Sequence, residues 1–313
     1  MAREPSPLSA RFDALTGPVQ GALMMTLGCL GFSAMNILIR YASAELDPFQ
    51  IAFFRNLFAL VLMLPWLAEH WPEALSTKRF KLHFWRAAVG LTAMLLWFYS
   101  VAVLPLSEAV ALNFTVPLFA TAGAALVLGE VVRARRWTAT VIGFLGVLII
   151  IRPGFSEVTW IMALPVVAAA FMAASVLLVK TLSATEAPVT IVLYMNLLLT
   201  PLSLIPALFV WQWPSVEVWL AVIATGFIAT GAQIMVTRAY KVADASVVLP
   251  FDYTRLPFIA VMAWLVFGQT TDLWTWIGAG VIAASSIYIA HRESRIARER
   301  VTQRAASAAP QGR

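Results

Sequence analysis

Ten apolar stretches follow one another along this chain, at about 19–39, 48–67, 84–103, 107–128, 137–151, 160–179, 188–210, 216–237, 245–267 and 274–290, with only brief connections between them. A bilayer core about 30 Å thick needs about 20 helical residues at 1.5 Å each. Nine stretches meet that length or nearly so, and the fifth reaches it if Trp137 or Arg152 snorkels. The pattern predicts an all-α polytopic membrane protein of ten transmembrane helices. Its connections leave no room for a soluble catalytic domain. Composition agrees, since 61% of residues are hydrophobic and only 12% charged, against about 25% charged in soluble domains.

The formal charge of +6 is dispersed between apolar runs rather than gathered in a patch, which argues against nucleic acid as a partner. Of the 22 Lys and Arg residues, eighteen fall in the N-terminal tail, the alternate connections or the C-terminal tail. Only Arg40 and Arg152 fall on the other side, with Arg55 and Arg255 in the membrane. This bias predicts that both termini are cytoplasmic, in an inner or plasma membrane. The single cysteine, Cys29, allows no intrachain disulfide and reads as a core residue.

An internal repeat is visible. Arg40, Pro48 and Asn56 recur 140 residues on as Lys180, Pro188 and Asn196, and Pro117 recurs as Pro257. Trp137-Thr138 and Gly143 recur as Trp274-Thr275 and Gly280, 137 residues on. Five spans per copy is odd, so the second copy enters the membrane inverted. The predicted organisation is a cytoplasmic tail (1–17), a first five-helix repeat (18–153), a second (154–290) and a charged cytoplasmic tail (291–313). Inverted halves are the usual basis of alternating access, with the substrate site between them near mid-membrane.

Polar groups at that depth are the candidate site. Asp252 and Arg255 are three residues apart, hence on one side of a helix, and lie roughly 12 and 16 Å below the inner face. A charge there costs about 2.5–3.5 kcal/mol on insertion scales and faces a partner or a cavity. Arg55, about 10 Å in from the outer face, shares their level, so the two arginines suit a carboxylate or other anion through their fork geometry. Asn113 adds a donor and acceptor, and Gln233 and Asn196 offer the same from other spans. Trp97 and Tyr253 supply aromatic walls for a planar polar solute. Each also has a structural reading, as ion pair, interhelical hydrogen bond or interfacial anchor. Pro117, Pro250 and Pro257 lie inside spans and predict bends. Glu108, at a helix start, and Glu130, beside Arg133, Arg135 and Arg136, read as structural or gating acids. Asn36 reads as near the outer end of the first span and of less weight, and Arg86 counts among the cytoplasmic charges.

No Walker A sequence is present, and His70, His83 and His291 all fall at the predicted inner surface. An intramembrane histidine metal site, a cofactor and an enzymatic role therefore find no support. Asp252 is the one deep acid that could carry a proton, and an arginine partner would lower its value for that purpose.

The motifs are similar to those of the drug/metabolite transporter superfamily, in its ten-span EamA-type branch. They are Phe54-Arg55 after Pro48, the run from Leu104-Pro105-Leu106-Ser107-Glu108-Ala109 to Pro117, Leu128-Gly129-Glu130, and Trp137 with Gly143-Phe144-Leu145-Gly146-Val147 before Arg152-Pro153-Gly154. They most resemble the subgroup of S-adenosylmethionine-uptake-like and riboflavin-uptake-like carriers, with amino-acid exporters nearby. The resemblance implies two inverted five-helix repeats around a central cavity, and a homodimer through the fifth and tenth helices. One departure stands out: Gly268-Gln269 occupies the place where the first repeat has Gly129-Glu130. The resulting expectation is a secondary transporter, held in membrane lipid, for a small polar organic metabolite such as a nucleoside-like, flavin-like or amino-acid-derived solute. An efflux carrier for amino acids or drugs, a passive channel and a membrane-embedded binding or assembly protein are the rival readings.

Overall fold

The computed structural model describes residues 15–69, 77–127, 134–152, 159–183, 185, 186, 188–243, 248, 251–288 and 291. Among them every regular element is helical. In chain order these are α1 (Gly17–Ala42), α2 (Pro48–Glu69), α3 (Phe80–Val103), α4 (Leu106–Asn113), α5 (Val116–Val127), α6 (Ala134–Ile151), α7 (Leu164–Ser183), α8 (Pro188–Phe209), α9 (Val216–Val242) and α10 (Arg255–Phe267). The helix Leu273–Tyr288 follows as α11, and a 3-10 turn, Trp160–Ala163, leads into α7. The segments Gly17–Ala42, Phe80–Val103, Trp160–Val179 and Val216–Ala239 are each long and apolar enough to cross a membrane. Shorter apolar helical segments run over Pro48–Leu62, Trp137–Ile151, Leu193–Phe209, Arg255–Phe267 and Leu273–Tyr288, and the fold is that of a multi-pass membrane protein.

The outer surface of the bundle is greasy, as lipid requires. On α6, Val141, Ile142, Leu145 and Leu148 are exposed while Ala139, Val147 and Ile150 are buried. That is the 3.6-residue period turned inside out with respect to a soluble protein. Cys29 is fully buried, as its place in an apolar run suggested.

Small residues bring the helices together. Along the α1–α9 seam, a Cβ on Gly17 would lie 2.6 Å from the Val242 carbonyl oxygen, and one on Gly28 would lie 2.7 Å from Val236 and 3.1 Å from the Ala232 carbonyl. Rising numbers on α1 meet falling numbers on α9, so the two run antiparallel. On α6 and α11, Gly146 and Gly278 face each other: a Cβ on either would come within 2.8 or 2.6 Å of the other's carbonyl oxygen. Such close backbone approach supplies the packing that lipid, itself apolar, does not drive. The Ser285 hydroxyl donates to the Ala139 carbonyl across the same seam. Further pairs are α3 with α7 and with α8, α2 with α8 and with α9, α10 with α1, α5 with α7, and α4 with α10.

The fourth predicted span is two helices, and the ninth also restarts. Turns at Phe114-Thr115 and Tyr253-Thr254 interrupt them. At both, a threonine hydroxyl donates to the carbonyl three residues earlier, Thr115 to Leu112 (2.8 Å) and Thr254 to Phe251 (2.6 Å). Pro117 and Pro257 then fall in the first turn of α5 and α10, where a missing N–H costs nothing. The bends expected from these prolines are therefore helix restarts. The breaks touch, with the Phe114 and Tyr253 rings edge to face at 4.8 Å.

Polar contacts tie the bundle at both ends. At one, Gln50 Nε2 donates to the Gln212 carbonyl (2.6 Å) and Gln212 N–H returns a bond to Gln50 Oε1 (3.0 Å). The Glu45 carboxylate accepts from both the N–H and the hydroxyl of Ser215, at 2.9 and 2.7 Å. Arg40 donates to the carbonyls of Val101, Ala102 and Leu104 at the end of α3. Arg152 pairs with Asp272 at 2.8 Å, and Ser107 with Thr271 at 2.7 Å. At the other end Thr77 donates to Glu186 (2.9 Å). His83, expected at the inner surface, lies at this end of the bundle and is buried there, stacked on Tyr194 with centroids 4.6 Å apart. It lies 3.9 Å from Glu186.

Two outcomes are expected. Gly278→Val should force α6 and α11 apart and destabilise by about 1–3 kcal/mol, read as a lowered melting temperature in detergent. The two Ser215 bonds hold Glu45 below its usual 4.5. Its contribution is then present above that value and lost as pH falls through the lowered one. The melting difference between wild type and Glu45→Gln should accordingly be largest near neutrality and vanish in strong acid; a difference independent of pH would exclude the ionised contact.

Candidate functional site

A central cavity of about 360 Å³ opens among α1, α2, α3, α4, α7, α8, α9 and α10. Its volume lies within the roughly 300–1,000 Å³ usual for small-molecule sites. One face of α3 forms the long wall through Arg86, Gly90, Ala93, Met94, Trp97 and Phe98. Eleven residues separate Arg86 from Trp97, so the wall is about 16 Å long. Phe32 and Asn36 of α1, Met172 and Ser175 of α7, and Met195 of α8 face it.

The structure brings together Arg55, Asn113, Gln233, Trp97 and Arg255, all of which line the cavity. Arg55 Nη1 donates to Asn56 Oδ1 at 3.1 Å, and Asn56 Nδ2 donates to Ser203 Oγ at 3.2 Å, linking α2 to α8. The amide of Asn113 donates to Met172 Sδ at 3.4 Å. Thioether sulfur is a weak acceptor, so a better one from a solute would displace it. Arg255 Nη2 donates to Asp252 Oδ1 at 2.6 Å, and its guanidinium lies over the Phe32 ring, 5.0 Å from the centroid.

Asp252, Tyr253 and Asn196 are placed otherwise. Asp252 forms the ion pair with Arg255 that their spacing implied, but does not itself line the cavity. It also receives the Cys29 thiol, 3.5 Å from Oδ1, while Ser33 donates to the Arg255 carbonyl at 3.3 Å. Tyr253 packs on Phe114, and Asn196 is buried within α8. Glu108 sits in the first turn of α4 beside Arg152 and Asp272, at one tied end of the bundle. Gln269, the departure from the Gly-Glu pattern, accepts the Leu106 N–H at 3.2 Å and so caps α4. The preceding Gly268, at φ +66°, closes α10 in the left-handed conformation that glycine adopts without strain. Pro250 and Glu130 lie outside the described residues.

Sequence reasoning missed Arg86 and Asn36, together with Phe32, Met172, Ser175 and Met195. The structure places Arg86 six residues inside α3, about 9 Å from the start of that helix, whereas the apolar stretch read from the sequence begins only at about 84. Three guanidinium groups thus line the cavity, and no carboxylate does among the described residues. No cluster of His, Cys, Asp and Glu suited to a metal occurs among them either.

Asp252→Ala should destabilise by about 1.5–3 kcal/mol, the worth of a charge-assisted hydrogen bond. Combining it with Arg255→Met should recover part of that loss. Melting curves of the two single variants and the double variant measure the coupling.

The model of the EamA-like transporter family matches residues 19–152 and 159–290. The riboflavin transporter of Vibrio cholerae is 38% identical over 286 residues, 90% of this chain and 96% of its own. That of Brucella anthropi is 34% identical over 284 residues, 88% and 99%. The S-adenosylmethionine uptake transporter of Rickettsia prowazekii is 25% identical over 283 residues, 90% and 96%. A solved crystal structure, 16% identical, superposes with a TM-score of 0.59 over 88% of this chain and 97% of its own, which speaks to the fold alone. With both matched segments accounting for nearly all the helical bundle, the chain belongs to the EamA-like transporter family and serves membrane transport rather than catalysis.

Proposed function

We propose that the protein is a secondary transporter of a planar, polar, non-cationic metabolite of the riboflavin type, carried through the central cavity by alternating access. The observation that carries this reading is the cavity wall: three guanidiniums, two carboxamides from Asn36 and Asn113, the Gln233 amide and the rings of Trp97, Phe98 and Phe32, with no lining carboxylate among the described residues. A flavin offers a flat ring system for the aromatics and adjacent carbonyl and imide groups for amides and guanidiniums. S-adenosylmethionine brings a sulfonium cation, for which this wall offers no acid. The relatives named for riboflavin are also the more similar ones, at 34–38% against 25%.

The same reading counts α4 with α5 as one span and takes α10 with the residues before it as another, which makes ten. They form two inverted repeats, 18–153 and 154–290. Helix pairing supports this. A shift of five spans carries α1–α9 onto α7–α3, α1–α10 onto α7–α5, and α2–α9 onto α8–α3, while α2–α8, α4–α10 and α6–α11 map onto themselves. Both termini are then cytoplasmic, by the distribution of Lys and Arg. A homodimer would use α6 and α11, whose shared groove is lined by Thr138, Ala139, Ile142 and Val281.

Riboflavin fluorescence gives the test. Saturable quenching on titration with purified protein is expected, together with saturable uptake into proteoliposomes. Asn113→Ala should weaken binding about fivefold to tenfold, the worth of one or two hydrogen bonds. Absence of saturable quenching or uptake would reject the flavin assignment. Equal uptake by S-adenosylmethionine-loaded and flavin-loaded assays would reject the charge argument.

A further inference from the structure

Among the three cavity arginines, Arg86 differs in how its hydrogen-bonding capacity is met. Arg55 donates to the Asn56 amide oxygen and Arg255 to the Asp252 carboxylate. The recorded partner of Arg86 is the Met195 sulfur, 3.0 Å from Nη2, while Nε and Nη1 are buried with no partner. A guanidinium held in an apolar surrounding against a thioether is a costly arrangement. It is retained at the end of the α3 wall opposite Trp97 and Phe98, and it faces the same space as they do.

From this placement we infer that Arg86 is the specificity-determining residue of the cavity, its under-satisfied guanidinium receiving an acceptor edge of the solute along Nε and Nη2 once the weak Met195 contact gives way. The parallel N–H donors of Nε and Nη2 match two neighbouring oxygens, or an oxygen beside a ring nitrogen, as guanidinium matches carboxylates, and Nη1 is left for a further acceptor. The long wall separates this fork from the aromatic end by about 16 Å. An elongated solute with a flat ring at one end and polar oxygens at the other would span it. The solute class is therefore a neutral or anionic molecule with an acceptor-rich end, and a net cation is rejected by the same group. The titratable group shown to feel Arg86 is His83, which lies 3.9 Å from the Glu186 carboxylate, itself bonded to Thr77. This inference rests on the cavity being the flavin site.

The test uses the full-length protein in detergent and three variants, Arg86→Met, Arg86→Lys and Arg86→Gln. Each is measured twice: for riboflavin binding by fluorescence quenching, and for melting temperature without ligand. Arg86→Met is expected to weaken riboflavin binding tenfold to a hundredfold, the range for hydrogen bonds to a charged group. Arg86→Lys should recover little of it, because the fork is lost while the charge stays. Without ligand, Arg86→Met should melt at or above the wild-type temperature, since it removes buried donors that have no acceptor. Wild-type protein that binds no riboflavin would overturn the flavin assignment and this inference with it. Wild-type binding matched within twofold by a folded Arg86→Met would overturn the inference alone. A melting temperature several degrees lower for Arg86→Met would also overturn it, by showing that the guanidinium holds the bundle together.

Discussion

Backbone polar groups find no water in the hydrocarbon core, so a helix can break there only where the chain itself supplies the missing hydrogen bonds. This protein breaks its helices at Phe114-Thr115 and Tyr253-Thr254, and the central site depends on both breaks. In each a threonine hydroxyl takes up a carbonyl, and a proline enters where its absent N–H is harmless. Restarting the helix at Arg255 sends that side chain toward the cavity, while Asp252, before the break, stays behind as its counter-ion. The two stay paired at 2.6 Å across the turn.

The rest of the frame holds these breaks in register. Cys29, Phe32 and Ser33 lie on one face of α1, and all three contact the Asp252–Arg255 turn. The same helix is locked to α9 by the close glycine contacts. Movement of α1 against its neighbours therefore moves Arg255 and the cavity wall together. The polar ties lie at the two ends of the bundle, in short connections. They can be exchanged for water at a modest cost, unlike contacts in the core. Packing tight at the seams and hydrogen bonding at the ends are suited to rigid units that rock.

Much of this was legible in the sequence, because transmembrane helices announce themselves by apolar length and the ends found differ from those expected by a few residues. The proline positions marked the breaks, and the spacing of Asp252 and Arg255 marked their ion pair. Arg86 was not legible in the same way. It follows Lys78, Arg79 and Lys81, and hydropathy reads the four as one cytoplasmic cluster, whereas α3 begins at Phe80 and carries Arg86 inward. Asn36 was set aside on depth counted from an early helix end. The helix continues to Ala42, with Arg40 donating to the carbonyls at the end of α3, and Asn36 lies six residues before that end. Tyr253 was assigned as an aromatic beside the Asp252–Arg255 turn and Asn196 as an amide within a span, and neither ground says which way a side chain turns.

The repeat proposed for the two halves gives a frame in which the cavity charges stand out as unduplicated. At the common offset of 140, Arg55 corresponds to Met195, Arg86 to Gly226 and Arg255 to Thr115. Each guanidinium therefore has a neutral counterpart, and that of Arg86 could not be otherwise: a Cβ at Gly226 would lie 2.7 Å from Phe58. Pseudo-symmetry makes the two conformations of a rocking carrier similar in energy, which transport requires. Recognition has the opposite need, because a solute with a ring at one end and acceptors at the other is itself asymmetric. Here the helix pairings fit the proposed repeat, and the three cavity arginines stand at positions that it does not duplicate.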